Sequence, residues 1–189
     1  MKKTIQVFLV LIFCLCMCAC GQKKEESGEE KKALVDSMSE ESSLSDAMPE
    51  FSTVDLEGNE VTNDIFSQAD LTVVNFWATY CSPCINEMPE LEEWSKAMPD
   101  NVQIIGIAAD VPPEDSEQYA LAQQVVEKTG VSFVNLAAAE EFHPIIREIV
   151  GVPTTFFVDR NGKFAGSPIV GADVAGYKSF VEGYLNGSE

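Results

Sequence analysis

The chain has 189 residues, enough for one ordinary domain with a hydrophobic core and some sequence to spare. Its 12 Lys and Arg stand against 31 Asp and Glu, a formal net charge of −19. That balance argues against a nucleic-acid partner, whose phosphates need cations, and against electrostatic docking on anionic lipid. From Pro49 onward 6 basic residues face 23 acidic ones, a balance of −17, which fits solubility better than a basic partner.

The first segment, MKKTIQVFLVLIFCLCMCACGQKK, has the three parts of a secretory signal: basic Lys2 and Lys3, an apolar run from Ile5 to about Met17, and small residues before Cys20. The apolar run is shorter than the roughly 20 residues that a spanning helix needs. The pattern MCACG is similar to a bacterial lipobox, whose cysteine is lipidated and becomes the first residue of the mature chain. Met17 departs from the usual Leu. The expectation is a lipoprotein signal peptide over 1–19, cleavage between Ala19 and Cys20, and a lipid on Cys20 that holds the domain on the extracytoplasmic face of the cell membrane. Processing then removes Cys14, Cys16 and Cys18. Cys81 and Cys84 remain as the mature thiols, in a compartment where disulfides persist. Residues 20–48 are rich in Glu, Ser and Lys and contain no aromatic side chain, so they are expected to form a disordered, lipid-anchored tether. The folded domain is expected over 49–189.

EFSTVDLEGNEVTN (50–63) alternates apolar and polar residues around Gly58 and predicts a β-hairpin. The apolar run 71–78 predicts a strand buried on both faces, and 101–110 a second one. From Ser82 to about Met98 apolar residues recur at helical spacing, with a kink expected at Pro89. A helix is expected over 112–130, a strand over 131–138 and a short helix over 140–150. Residues 154–170 predict two strands around Asp159–Gly162, and 173–187 an amphipathic helix. Strands alternating with helices argue for an α/β fold, a mixed central sheet flanked by helices. Without a Gly-rich phosphate loop no nucleotide is implied, and no cofactor is expected beyond the redox state of the two cysteines.

Cys81 follows a predicted strand and opens a predicted helix, whose free N–H groups and dipole favour a thiolate. Cys81 is therefore expected to be the exposed nucleophile and Cys84, one turn on, the buried resolving thiol. Pro83 suits a first helical turn. A closed zinc site needs about four ligands, whereas the mature chain offers two cysteines and His143, itself expected to be a surface or packing residue. A structural staple across so short a loop would restrict the unfolded chain little.

VVNFWATYCSPC followed by INEMPELEEW, with GVPTTFFVDRNGK further along, resembles the thioredoxin-like proteins of the TlpA/ResA type, from about Pro49 to Leu185. The resemblance implies a thioredoxin-like fold with an N-terminal β-hairpin and a helical insertion between central strands. It also implies a cis Val152–Pro153 bond against the reactive pair, with the backbone before Pro153 pairing with substrate peptide. Asn75 stands where thioredoxins proper carry a buried Asp that helps move the proton of the second cysteine, a task an amide cannot perform. Glu87 matches the glutamate of the family's Cys-x-x-Cys-x-x-Glu-x-Pro pattern and is expected to be the carboxylate that holds back ionisation of Cys84 or relays its proton. Trp77 is expected to be core and active-site wall at once, and Tyr80 replaces a frequent Trp.

The implied activity is extracytoplasmic thiol–disulfide exchange, reducing disulfides of exported clients such as apocytochrome c or a methionine sulfoxide reductase. Electrons would come from a membrane carrier of the CcdA/DsbD type. Three alternatives stay open: a copper- or redox-partner-binding module on the same fold, a thiol oxidant, and a peroxidase. Sco-like copper carriers separate their cysteines by three residues. Peroxiredoxin-type sites place Thr or Ser, and Pro, where this chain has Ala78 and Val74.

Overall fold

The computed structural model describes residues 45–114 and 116–187. The chain divides into two units, 1–43 and 44–189, and the described residues belong to the second. The expected signal peptide, the lipid-bearing Cys20 and the tether up to residue 44 lie outside them.

A five-stranded sheet forms the centre, in the order β5–β4–β3–β6–β7. Strands β3 (Leu71–Trp77), β4 (Val102–Ala108) and β5 (Asn135–Ala137) run parallel; β6 (Thr154–Asp159) and β7 (Ile169–Val170) close one edge with antiparallel pairing. β3 is buried along its whole length, which is why it reads as an apolar run without alternation. A separate hairpin of β1 (Ser52–Val54) and β2 (Glu60–Thr62) turns at Gly58, whose φ of 89° is left-handed. Asp55 fixes that turn by accepting the N–H groups of Glu57 and Asn59.

One sheet face carries α1 (Ser82–Ala97), α2 (Glu117–Thr129) and α4 (Val174–Leu185). The other carries a 3₁₀ segment, Asn63–Gln68, the short α3 (His143–Glu148), Met48 and Phe51. Phe51, Phe66, Phe76, Phe142 and Phe156 pack ring against ring there. The fold is thioredoxin-like, with the expected hairpin and inserted helix.

Several boundaries differ from the sequence reading. Residues before 49 also take part in the fold, because Asp46–Met48 pair with the β6 hairpin: Met48 N–H donates to Gly162 and Phe164 N–H to Asp46. Met48 is buried in the core. α2 starts at Glu117 rather than at Pro112, since the Ser116 hydroxyl caps it by accepting the Tyr119 N–H. α1 continues through Pro89. The strand expected over 131–138 shrinks to three residues, and the second strand of the late hairpin to two.

Candidate active site

Cys81 and Cys84 form a disulfide, with Cα atoms 5.3 Å apart. Cys81 occupies the N-cap of α1, and its Sγ accepts the Cys84 N–H at 3.2 Å. A sulfur thus takes the place usually held by a Ser or Asp oxygen. In the reduced protein the same N–H and the helix dipole would stabilise a Cys81 thiolate. The loop that delivers Cys81 is anchored by Asp110, which accepts the Thr79 hydroxyl at 2.5 Å and the Thr79 N–H at 3.0 Å.

Cys81 is less exposed than the sequence reading expects, 6% against 1% for Cys84. The reason is the loop before β6: the Val152–Pro153 peptide is cis, and the Val152 carbonyl oxygen lies 3.4 Å from Cys81 Sγ. Trp77 is fully buried in the cluster that contains both cysteines, and its indole N–H donates to Asn135 at 2.9 Å. Beside the disulfide a groove of about 140 Å³ is lined by Tyr80, Asp110, Ile146, Ile149, Gly151 and Val152. Tyr80 and Val150 project into solvent at 77% and 87% exposure. A depression of about 320 Å³, lined by Asp110, Glu114, Glu140 and His143 among others, shares Ala109 and Asp110 with that groove, and neither is lined by the cysteines themselves. Among the described residues no group of three or more His, Cys, Asp or Glu side chains is arranged to hold a metal ion.

Glu87 lies one turn past Cys84 and is 7% exposed. Its Oε1 accepts the Asn75 amide N–H at 3.0 Å, and its Oε2 lies 3.3 Å from the Tyr177 hydroxyl. Asn75 also donates to Thr155 Oγ1 at 3.0 Å, its register partner across the β3–β6 ladder. Four elements therefore meet at one buried polar cluster: Glu87 from α1, Asn75 from β3, Thr155 from β6 and Tyr177 from α4. Burial raises the Glu87 carboxyl from 4.5 to about 7, against the lowering effect of the Asn75 and Tyr177 hydrogen bonds. Glu87 is thus balanced between acid and carboxylate near neutral pH, which is where a proton carrier works best.

Of the residues expected at the site, Cys81, Cys84 and Trp77 share one buried cluster, the cis Val152–Pro153 peptide lies beside Cys81, and Glu87 stands one turn past Cys84 with Asn75 and Tyr177 as its partners. The sequence reading missed Tyr177 and Thr155. Thr155 could have been found in the sequence, since it follows Pro153 closely and pairs with Asn75. Tyr177 carried no signal beyond its place on the apolar face of the last helix.

Residues 44–166 match the model of the AhpC/TSA family. The thiol–disulfide oxidoreductase ResA of Bacillus thuringiensis (strain Al Hakam) is 33% identical over 141 residues, which are 72% of this chain and 73% of that protein. Among solved structures, the thioredoxin domain of a thiol–disulfide oxidoreductase from Bacteroides vulgatus matches with a TM-score of 0.57 at 25% identity, over 74% of this chain and 99% of that one. A thioredoxin-family thiol:disulfide interchange protein from Chlorobium tepidum gives 0.55 at 26%, over 69% and 89%. The chain belongs to the AhpC/TSA family of thioredoxin-like proteins and is a thiol–disulfide oxidoreductase with the pair Cys81–Cys84.

Proposed function

We propose that this oxidoreductase works outside the cytoplasmic membrane, tethered through a lipid on Cys20, and reduces disulfides of exported proteins. The Cys81 thiolate attacks one sulfur of the client disulfide, and the other client sulfur leaves as a thiolate. Cys84 then gives its proton to the Glu87 carboxylate, and the Cys84 thiolate attacks Cys81 Sγ. The second client sulfur leaves, and the two electrons of the Cys81/Cys84 pair have passed to the client. A membrane dithiol carrier of the CcdA/DsbD type restores the reduced pair. Client peptide lies in the groove between Tyr80 and Gly151–Val152.

The observation that carries the reading is the placement of Cys81 Sγ: it accepts the Cys84 N–H and lies 3.4 Å from the carbonyl of Val152, a residue that also lines the groove. A peroxidase reading lacks comparable support, since Ala78 and Val74 offer no hydroxyl and no proline before Cys81.

The direction is tested by the midpoint potential of the pair. A value of about −250 mV or lower supports the reductant, whereas one near about −120 mV means an oxidant of client thiols. Insulin reduction lost in Cys81→Ser supports the enzyme. Stoichiometric copper binding without reductase activity supports the binding module instead. Mass spectrometry of membrane-extracted protein that finds an intact Met1 overturns the lipid anchor.

A further inference from the structure

The Tyr177 hydroxyl stands between two acceptors. It lies 2.6 Å from the Gly171 carbonyl oxygen and 3.3 Å from Glu87 Oε2. It also accepts the Asp173 N–H at 3.3 Å, beside the Asp173 cap of α4. A phenol has one hydrogen to give. At these distances the hydrogen belongs to Gly171, while the Tyr177 oxygen takes the Asp173 N–H and a hydrogen bond from Thr155, so Glu87 Oε2 receives no hydrogen from Tyr177 in this arrangement. That arrangement suits a protonated Glu87, which does not need a donor for each oxygen as a carboxylate does. When Glu87 ionises, two oxygens with lone pairs would oppose each other unless the Tyr177 hydrogen turns. Burial pushes the Tyr177 phenol up, so it keeps its proton throughout.

We propose that Tyr177 is a positioning residue for the exchange reaction, a two-way donor that serves Gly171 while Glu87 is protonated and turns to Glu87 Oε2 when that carboxyl is ionised. This rests on the reading of Glu87 as the carrier of the Cys84 proton. The hydroxyl swing supplies a donor to the ionised Glu87 and returns to Gly171 when the carboxyl is protonated, so the carboxyl takes up and releases the proton without moving its side chain. The other groups facing Glu87 do not take over this role. Asn75 can only donate to it through its amide N–H, and Thr155 accepts that amide and hydrogen-bonds to Tyr177, not to Glu87. Glu90, one turn on along α1, opposes ionisation by its charge, and Lys178 of α4 pairs with Glu90 at 2.8 Å.

The test compares the full-length protein with Tyr177→Phe and with 3-fluorotyrosine placed at 177, a stronger donor of nearly the same shape. Two quantities are followed: the carboxyl carbon-13 shift of Glu87 against pH in the oxidised protein, and the pH profile of insulin reduction. Phe removes the donor that the carboxylate needs. The Glu87 midpoint should move from about 7 to the alkaline side by about one pH unit. The rising limb of the rate profile should move with it, so that the rate falls about tenfold below the limb and recovers above it. Fluorotyrosine should move both in the acid direction. Midpoints that stay fixed in both variants, or a rate loss equal at every pH, overturn the proposal in favour of plain packing. Glu87→Gln separates the two levels. A limb that survives Glu87→Gln refutes Glu87 as the carrier, whereas one that vanishes there yet stays fixed in Tyr177→Phe refutes only the part given to Tyr177.

Discussion

Glu87→Gln should make the protein more stable at alkaline pH. The Glu87 carboxyl titrates at about 7 in the fold and at 4.5 without it. One pK unit corresponds to about 1.4 kcal/mol. Ionising Glu87 inside the fold therefore costs about 3 kcal/mol relative to ionising it in the unfolded chain. The folded state holds this proton more tightly, so stability falls as pH rises from about 4.5 to about 7 and is flat beyond. Glutamine removes the ionisation and keeps the Asn75 partner, since its Oε1 still accepts the Asn75 amide N–H. The assay is guanidinium unfolding of the oxidised wild type and variant between pH 4 and 9. The variant should gain about 3 kcal/mol at pH 8.5 and nothing at pH 4. Other carboxylates titrate in both proteins and cancel in the difference. A difference that is constant with pH, or that favours the wild type at pH 8.5, would refute the argument from burial.

Cys84→Ser should trap the mixed disulfide between Cys81 and client, seen as a reducible adduct on non-reducing gels, while Cys81→Ser yields none. Glu92→Gln should lose about 2 kcal/mol at pH 7, because Glu92 is buried and accepts the Ser132 N–H and hydroxyl at 2.8 and 2.7 Å. The Lys96 partner adds little, being 66% exposed. Burial alone would raise this carboxyl, but Lys96 and Ser132 hold it below its ordinary value of 4.5. Its contribution is therefore present above pH 4.5 and lost as pH falls through the lower folded value. Gly106→Ala should destabilise by about 2–4 kcal/mol, read as a lower Tm. A Cβ there would sit 2.0 Å from Asn135 Oδ1 and displace the acceptor of the Trp77 indole.

The elements that were legible in the sequence are those whose burial is continuous or periodic. β3 and β4 read as apolar runs because helices or loops cover both of their faces. α1 read as a helix because Met88 and Leu91 recur on its inner face. The proline pair at 112–113 resembled a helix start, but Ser116 supplies the cap, so the helix begins after it. β7 read too long because the pairing at Lys163 to Ala165 is interrupted before Ile169 rejoins the ladder opposite Thr155. The Asn63–Gln68 segment has no 3.6-residue period to read, since it is a 3₁₀ turn held by the Thr62 cap. The partnership of Glu87 with Tyr177 was out of reach for a different reason: the two lie 90 residues apart and meet only once α4 packs on α1.

Two buried carboxylates on one helix take opposite courses. Glu87 and Glu92 are 7% and 5% exposed, so burial does not separate them. Glu92 faces an ammonium, a hydroxyl and a backbone N–H that have no better acceptor, and it is held as a carboxylate. Glu87 faces an amide shared with Thr155 and a hydroxyl nearer to Gly171, and its pKa rises to about 7. Donors committed elsewhere are what leave a buried acid poised to exchange its proton. A fold selected for stability alone would have given Glu87 a Lys or an apolar replacement. The arrangement stands one turn from Cys84, where the proposed mechanism needs a proton to leave before the mixed disulfide resolves, and a loss of stability between pH 4.5 and 7 is the signature expected of that use.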